Sequence, residues 1–184
     1  DVLPNVAVQV DDDSVDATKS VEQCSEVVVV RDLSSELFAY DAKAVAEVVT
    51  KPMVVMGCKN LEKDGELLAA LAEALSGKNV LFMSAKNENY KTVGASVALA
   101  SGQKVGAETA DDINLAKQLN IMLKKDANVP ADAIVMNIGT AAVGYGYEYV
   151  ASTLDRVRLA ALAQSDADLQ MPIIAPVSTD TWGV

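Results

Sequence analysis

Short apolar runs alternate with amphipathic segments along most of the chain. Apolar residues fill successive positions in six runs, which is typical of strands buried on both faces of a parallel sheet. These runs are "EVVVVRD", "PMVVMGC", "NVLFMSA", "KVGAET", "AIVMNIG" and "PIIAPVS". Five intervening segments place apolar residues three and four positions apart, as helices with one buried face do. They are "DAKAVAEVV", "EKDGELLAALAEAL", "YKTVGASVALA", "DDINLAKQLNIMLKK" and "YEYVASTLDRVRLAALA". The pattern therefore predicts an α/β fold with a parallel sheet.

The even spacing of these strand-helix units favours a TIM-type (β/α)8 barrel over a doubly wound sheet. A doubly wound dinucleotide fold would need a glycine-rich loop after its first strand, and "EVVVVRDLSSE" has none. About six units are visible where a barrel has eight, so we expect an incomplete or truncated barrel that lacks its C-terminal units. We assign residues 27–184 to this barrel domain and residues 1–26 to an N-terminal arm or extension. Within that arm, "DVLPNVAVQV" is either a strand or lies outside the sheet.

Composition narrows the partners that the chain can have. It is 51% hydrophobic over 184 residues and carries a formal net charge of -11, as expected of a soluble acidic domain with a substantial core. Nucleic acid is an unsuitable partner, because binding to it depends on clustered Lys and Arg. No apolar run is long enough to cross a bilayer, and the first residues lack the features of a signal peptide. We expect a cytoplasmic protein that binds neither nucleic acid nor membrane.

The chain contains two cysteines, Cys24 and Cys58, and no histidine. It cannot by itself supply the four thiolates of an iron-sulfur cluster, a zinc site of Cys and His ligands, or a Ser-His-Asp triad. We expect buried thiols at both cysteines. We therefore assign no catalytic residue, no metal site and no iron-sulfur cluster to this chain.

In either fold the working surface lies beyond the carboxyl ends of the strands, and we call this surface the strand-end face. The segments that reach it are rich in amides, hydroxyls and glycine, with few converging charges. Such a surface suits binding better than catalysis. Taken singly, each polar residue here is more often a helix cap or a loop hydrogen bond than a ligand contact. The polar residues are Asn60, Ser84, Asn87, Asn89, Thr109, Asn137, Thr140 and Ser178.

The loop "NIGTAAVGYGYEY" is the most unusual of these segments. It resembles the dinucleotide motif G-x-G-x-x-G, but Tyr149 stands where the third glycine belongs and the loop follows the fifth run rather than the first. Glycine lets a partner approach the backbone closely, and tyrosine offers flat apolar area with a polar tip. The loop therefore suits a large flat partner.

Several strings resemble one known family. They are "PMVVMGCKNLEKDGELLAALAEALSGKNVLFMSAKNENYKTV", "DINLAKQLNIML" and "GYGYEYVASTLDRVRLAAL", followed by "MPII". The chain resembles, with interruptions from Cys24 to Trp182, the small (delta) subunit of the corrinoid iron-sulfur protein of the carbon monoxide dehydrogenase/acetyl-CoA synthase complex. It departs from the usual family pattern at Gly57 to Asn60, where the family has Gly-Cys-Gly followed by Asn or Asp, and at Asn137-Ile138, where the family has Asp-Pro.

The resemblance implies a TIM barrel that forms a heterodimer with a large (gamma) subunit holding the iron-sulfur cluster and a mobile corrinoid domain. Together they would carry a methyl group on the cobalt of a corrinoid (cobalamin) from methyltetrahydropterin to acetyl-CoA synthase, in anaerobic one-carbon metabolism. The methyltransferase and the synthase would be transient partners, and this subunit would not be catalytic alone. Carried over residue by residue, the corrin-facing positions are Ser84, Asn87, Asn89, Tyr90, Asp112, Asn114, Asn137, Thr140, Gly144 and Tyr145.

Two other functions remain open from the residues. A pterin-binding methyltransferase barrel could use Asp112, Asn114 and Asn137 to bind the amide edge of a pterin, although an Asp in place of Asn137 would pair better with such a ring. A scaffold barrel would only dock large partners. It differs from the corrinoid subunit in whether the loops touch a cofactor.

Overall fold

The computed structural model describes residues 7–10, 27–31, 38–57 and 60–176 of the chain. Cys24, Cys58 and Ser178, which the sequence analysis singled out, lie outside the described residues. The strands are β1 (Ala7–Val10), β2 (Val27–Arg31), β3 (Met53–Met56), β4 (Val80–Ala85), β5 (Lys104–Glu108) and β6 (Ile134–Asn137). The helices are α1 (Phe38–Val48), α2 (Leu61–Ala74), α3 (Tyr90–Val93, continued by a π-helical turn over Gly94–Leu99), α4 (Ile113–Lys125) and α5 (Tyr147–Ala163), with a 3₁₀ turn at Ala131–Ala133.

The six strands form one parallel sheet whose spatial order is the same as their order in the sequence. The pairings run from Ala7 opposite Val27 at the first pair to Val105 opposite Ile134 at the last. A doubly wound sheet would show a point where the strand order reverses, and the described strands show none. The α/β class and the parallel sheet predicted from the apolar runs are therefore confirmed.

The two faces of the sheet bury different partners. In β3, Met53 and Val55 pack into a large core that also contains the buried residues of the helices, while Val54 and Met56 face the other way. The same alternation in β4 places Phe82 in the helix-covered core. The cluster on the opposite face consists of strand and loop residues alone, namely Val54, Met56, Leu81, Met83 and Ile174. Helices thus cover one face of the described sheet, which is consistent with part of a barrel wall.

The structure differs from the predicted pattern at the sixth apolar run and decides between two alternatives near the start of the chain. Ala7–Val10, in the segment that could have been a strand or an arm, is a strand paired with β2. The sixth apolar run does not form a full strand within the described residues. Ile173 instead makes an isolated parallel bridge to Met136 of β6, with Met136 N–H donating to Pro172 O at 2.7 Å and Ile174 N–H donating to Met136 O at 2.8 Å. Proline lacks the N–H that a regular ladder requires, and Pro172 and Pro176 flank this bridge.

Two ion pairs fasten α4 to the segment that follows α5. Lys117 Nζ lies 2.6 Å from Asp166 Oδ2, and Lys124 Nζ lies 2.6 Å from Asp168 Oδ1. The hydrogen bond from Lys117 holds the pKa of the Asp166 carboxyl below its ordinary value, and the same bond raises the pKa of Lys117. These pairs hold the chain after α5 in place before it returns to the sheet at Ile173. No helix among the described residues has the length and apolarity needed to cross a membrane.

Candidate functional site at the strand ends

The ends of β4 and β5 bring three polar side chains together at the strand-end face. Glu108, the last residue of β5, lies with Oε1 2.9 Å from the ammonium of Lys86. Its other oxygen, Oε2, accepts a hydrogen bond from the hydroxyl of Ser84. The Lys86 and Glu108 side chains are 34% and 27% exposed, so the pair lies partly shielded from solvent. This arrangement connects the end of β5 to the turn that follows β4.

This cluster corrects one expectation. The sequence analysis predicted few converging charges at this face, but the structure brings a lysine and a glutamate into contact there. Both residues stand in segments that follow predicted strands and were assigned to this face, "SAKNENY" and "ETADD". Their positions near strand ends were the signal that could have identified the pair, because the ends of adjacent parallel strands lie side by side.

A cavity of about 430 Å³ opens beside this cluster, and we call it the strand-end cavity. It lies between the turn after β4, the end of β5 and the first turns of α4. Its lining combines the ion pair with amide, hydroxyl and aliphatic groups. The residues are Lys86, Asn87, Glu88, Glu108, Thr109, Ala110, Leu115, Gln118 and Leu119. Asn87 from the predicted corrin-facing residues and Thr109 from the polar residues expected at this face both line it. Gln118 and Leu115 were not anticipated.

Thr109 contributes a buried hydroxyl to this region. Its Oγ1 has no hydrogen-bond partner among the described residues. Its backbone N–H donates to Asn137 O at 2.9 Å, which ties the residue after β5 to the end of β6. Buried hydroxyls in proteins are normally paired, so Thr109 is a group that a ligand at the cavity wall could satisfy.

The turn after β4 separates the strand-end cavity from a second one. Asn89 is 8% exposed, and its Oδ1 accepts from Lys86 N at 2.7 Å, which closes the turn. Asn89 lines the second cavity, of about 420 Å³, together with residues from the starts of α2 and α3. Glu88 lines both cavities. Asn89 therefore stabilises the turn from the side of the second cavity, and Asn87 is the amide of this segment that reaches the strand-end cavity.

Tyr90 occupies a different place from the one that the resemblance implied. Its ring is buried in the main core, and its hydroxyl donates to Asp126 Oδ2 at 3.1 Å. Asp126 ends α4, at the opposite end of that helix from the strand-end face. The side chain thus packs within the helix layer, where a ligand at the strand ends would not contact it.

Asp112 and Asn114 lie at the start of α4. Asp112 caps this helix, and its Oδ1 accepts from Asn114 N at 2.6 Å and from Leu115 N at 3.2 Å. Both side chains are exposed. Asn60 likewise accepts from Lys63 N as the cap of α2. For Asn60 the capping role weighed in the sequence analysis is therefore confirmed, and Asp112 has the same role in α4.

Asn137 shapes the loop that follows β6. The residue is 2% exposed, and its Oδ1 accepts from Gly139 N at 2.9 Å, a local turn that starts the loop. Gly139 has a φ of 79°, which a residue with a side chain adopts at a cost. Thr140 Oγ1 donates to Pro176 O at 3.4 Å. Asn137 and Thr140 thus hold the base of the loop.

The rest of this loop projects outward. Gly144 has a φ of 82°, and a Cβ built on it would have no atom of this chain within 4 Å. Tyr145 is 70% exposed, and Tyr149 in the first turn of α5 is 68% exposed. We call residues 143–149 the aromatic loop. It presents glycine backbone and tyrosine rings to its surroundings, as the sequence pattern predicted.

These contacts divide the predicted residues into three groups. Ser84 and Asn87 lie at the strand-end cavity or its adjoining ion pair, and Gly144 and Tyr145 lie on the aromatic loop. Asn89, Asp112, Asn137 and Thr140 support turns and caps around them, and Asn114 is exposed beside a cap. Tyr90 is in the core. Within the described part of the chain, no three His, Cys, Asp or Glu side chains are grouped so that they could hold a metal ion.

The fold and the face define an α/β domain with a polar surface at the strand ends of a parallel sheet. A family model described as CO dehydrogenase/acetyl-CoA synthase delta subunit matches residues 3–184. The chain belongs to this family.

Named relatives agree with this assignment. The acetyl-CoA decarbonylase/synthase complex subunit delta 1 of Methanosarcina thermophila is 36% identical over 156 residues, which cover 84% of this chain and 35% of the relative. Subunit delta of Archaeoglobus fulgidus is 37% identical over 76% of this chain and 30% of its own length. Subunit delta of Methanocaldococcus jannaschii is 32% identical over 78% and 35%. The chain thus spans about a third of the length of these curated relatives.

Proposed function

We propose that the chain is the part of a corrinoid protein that presents its strand-end face to the cofactor. With a large (gamma) cluster-bearing subunit, it would carry a methyl group from methyltetrahydropterin to acetyl-CoA synthase. Membership of the delta-subunit family is the observation that carries this proposal. The relatives are named as subunits of the acetyl-CoA decarbonylase/synthase complex, and the same assembly is proposed for this chain.

The described residues fit a corrinoid in three respects. Thr109 has an unpaired buried hydroxyl at the cavity, Gly144 offers backbone with open space above it, and Tyr145 offers an exposed ring. A flat macrocycle edged with polar arms suits such a combination of amide, hydroxyl and aromatic groups. When bound, the corrinoid would supply the cobalt that accepts and donates the methyl group, and the protein would orient and shield it. Residues Ser84, Asn87, Thr109, Gly144 and Tyr145 are our proposed contacts.

The amino-acid composition of this chain indicates which subunit would hold the iron-sulfur cluster. Two cysteines and no histidine give this chain neither a four-thiolate ligand set nor an imidazole ligand for cobalt. The cluster would therefore belong to the large subunit, and the two chains would form a heterodimer around the corrinoid. The chain by itself would be colourless and would hold no iron.

We also propose that the six strands belong to a (β/α)8 barrel. Strands in sequence order, helices covering one face and the bridge at Ile173 beside β6 are features that a barrel wall requires. A closed barrel would bring the loops after all of its strands around one opening. The strand-end cavity and the aromatic loop would then border the same cofactor.

A pterin site finds less support in the contacts. Asn137 is buried with its Oδ1 committed to Gly139 N, and Asp112 Oδ1 is committed to the cap of α4. One oxygen of each side chain is thus engaged within its own loop, and Asn137 is almost fully buried, which leaves a pterin edge fewer groups to bind. A scaffold that only docks partners would also use the exposed tyrosines, so an experiment must distinguish the scaffold function from the corrinoid function.

The test is anaerobic reconstitution of the chain with its large subunit, with methyl transfer from methyltetrahydropterin followed by the cobalt(I) absorbance. We expect the heterodimer to transfer methyl groups at least tenfold faster than the large subunit alone, equivalent to ~1.4 kcal/mol at the barrier. Equal rates would support the scaffold function instead. Saturable binding of methyltetrahydropterin by this chain alone would support the pterin-binding methyltransferase.

A further inference from the structure

We infer that the strand-end cavity is a subsite for a neutral carboxamide group on a short aliphatic stem. The inference rests on the proposed function only where it names the corrinoid as a source of that group. The cavity itself is described by its own contacts, and its ligand class follows from charge, hydrogen-bonding capacity and size.

Charge balance in the cavity favours a neutral ligand. The Lys86 ammonium is paired with Glu108 at 2.9 Å, and the second Glu108 oxygen is occupied by the Ser84 hydroxyl. A carboxylate ligand would have to compete with Glu108 for Lys86, and it would meet a further negative charge at Glu88. An ammonium ligand would have to draw Glu108 away from Lys86. Breaking a partly shielded pair leaves one charge uncompensated, so both kinds of ion are disfavoured.

Hydrogen-bonding groups on the wall match an amide. The Thr109 hydroxyl has no partner among the described residues and can donate or accept. Gln118 and Asn87 add side-chain amides to the lining. A carboxamide carries two donors and one acceptor oxygen, so it can pair with a hydroxyl and an amide at once. A simple alcohol would satisfy fewer of these groups.

The remaining wall suits an aliphatic stem. Ala110, Leu115 and Leu119 line the cavity, and Leu115 is 47% exposed in the described structure. Covering that leucine would remove apolar surface from water. A volume of about 430 Å³ is at the small end of ligand pockets, which span roughly 300–1,000 Å³. A corrinoid is too large to enter, so only one of its peripheral carboxamide arms would do so.

A carboxamide could also come from an Asn or Gln side chain of a partner polypeptide. Both sources share the chemistry that the cavity recognises. The experiment therefore begins with a small probe that carries the amide alone, and then compares the two sources.

The first measurement is a titration of the isotope-labelled chain with propionamide, propionate and propylammonium, followed by backbone amide NMR shifts. We expect saturable shifts for propionamide, centred on residues 108–110 and 115–119, and no saturation for the two ions. Propionate binding as tightly as propionamide would overturn the inference, because the cavity would then be an anion site on Lys86. Absence of saturable propionamide binding would also overturn it.

Variants test which wall groups bind the amide. Thr109→Val keeps the shape of the side chain and removes the hydroxyl, and we expect it to weaken propionamide binding by roughly two- to tenfold, the effect of one hydrogen bond. Thr92→Val makes the same change in the second cavity and should leave this affinity unchanged. Equal effects of the two substitutions, or no effect of Thr109→Val in a folded protein, would contradict the assignment of Thr109.

The second measurement assigns the source. Dicyanocobinamide, a corrinoid with carboxamide arms, is titrated into the heterodimer made with wild-type chain or with Thr109→Val. Weaker corrinoid binding by the variant would support the corrinoid arm as the occupant. If only propionamide binding weakened, the subsite would stand with a polypeptide amide as its occupant. If the wild-type heterodimer bound propionamide but no corrinoid, the proposed function would fail while the subsite remained.

Discussion

The ammonium of Lys86 lies 2.9 Å from the carboxylate of Glu108, so the end of β5 holds the turn that follows β4. Glu108→Gln would keep the shape of the side chain and remove its charge. Because both side chains are about a third exposed, we expect unfolding free energy to fall by about 1 kcal/mol or less. The difference in unfolding free energy between variant and wild type should shrink in high salt, because salt screens the attraction between the two charges and so weakens the pair in the wild type. Urea unfolding at low and high ionic strength measures both.

A matched control for this change is Glu88→Gln, in the turn after β4 between Asn87 and Asn89. Glu88 makes no ion pair within the described part of the chain. Its substitution should leave unfolding free energy nearly unchanged. Equal destabilisation by both variants would mean that loss of net charge, rather than the pair, determines the effect.

Gly144 allows a test of the aromatic loop. A valine there must adopt a φ of 82°, at a cost of about 1–3 kcal/mol, and would place a branched side chain where a flat partner is proposed to lie. We expect Gly144→Val to slow methyl transfer by the heterodimer by about tenfold, or ~1.4 kcal/mol at the barrier. The rate is followed by the cobalt(I) absorbance, with thermal unfolding of the same samples.

The control is Gly77→Val, at the turn between α2 and β4. Gly77 has a φ of 84° and, like Gly144, no atom within 4 Å of a built Cβ. The two substitutions therefore impose the same backbone strain at opposite ends of the strands. Slower transfer in Gly144→Val alone supports contact at the aromatic loop. Wild-type transfer by a folded Gly144→Val protein would argue that the loop only turns a corner.

Two glycines with different surroundings should respond oppositely to alanine. A Cβ at Gly106 in β5 would lie 2.7 Å from Met83 Cγ and 3.4 Å from Phe82 O, so Met83 or the strand must shift. We expect Gly106→Ala to destabilise the fold by about 1–3 kcal/mol, as overpacking does. Thermal unfolding reports the change.

Gly65 in α2 provides the comparison. A Cβ there would lie 3.6 Å from Thr92 Cγ2, an ordinary contact, and the residue is within a helix. Alanine should stabilise by about 0.5–1 kcal/mol, because the unfolded chain loses more freedom than the helix does. A stabilising Gly106→Ala would show that β5 and β4 pack more loosely than described.

Acid should weaken the attachment of α4 to the segment after α5. Since the hydrogen bond from Lys117 lowers the pKa of Asp166 in the folded protein from 3.8, the carboxylate form is favoured by folding. Its contribution is fully present above that ordinary value and is lost as the pH falls through the lowered one. Asp166→Asn should therefore flatten the decline in stability below about pH 4.

Chemical unfolding between neutral and acidic pH measures this dependence. Asp155→Asn is a suitable control, because Asp155 is exposed on α5 and makes no ion pair within the described residues. It should leave the acid decline as steep as in wild type. An unchanged decline in Asp166→Asn would assign the acid sensitivity to other carboxylates.

Much of the architecture could be predicted, because buried strands and helices show characteristic spacings of apolar residues in the sequence. The apolar runs at β3 to β6 and the three- and four-residue spacing of α2, α4 and α5 all correspond to observed elements. The run at Ile173 was harder, because an apolar pattern does not reveal that neighbouring prolines limit it to one bridge. The π-helical turn after α3 was also invisible, since its apolar spacing resembles that of an α-helix.

The site was less predictable, because it depends on which side chains the sheet brings together. The register between β4 and β5 shifts between Met83 and Ala85, at Ser84, and no local sequence pattern predicts that shift. The contact between Ser84 and Glu108 and the adjoining Lys86 pair belong to this irregular end of the strand. The burial of Tyr90 in the main core was equally hard to predict, because a residue beside a polar loop segment in the sequence can still point into the core.

The order of the strands also affects how the protein can be made. Each strand pairs with the strand that precedes it in the sequence, from Ala7 with Val27 through Val105 with Ile134. Every described pairing can therefore form once the next short stretch of polypeptide has left the ribosome, without waiting for a distant one. Folding that proceeds in step with synthesis keeps loop closures short, and each interior strand is paired on both sides soon after the next strand is made.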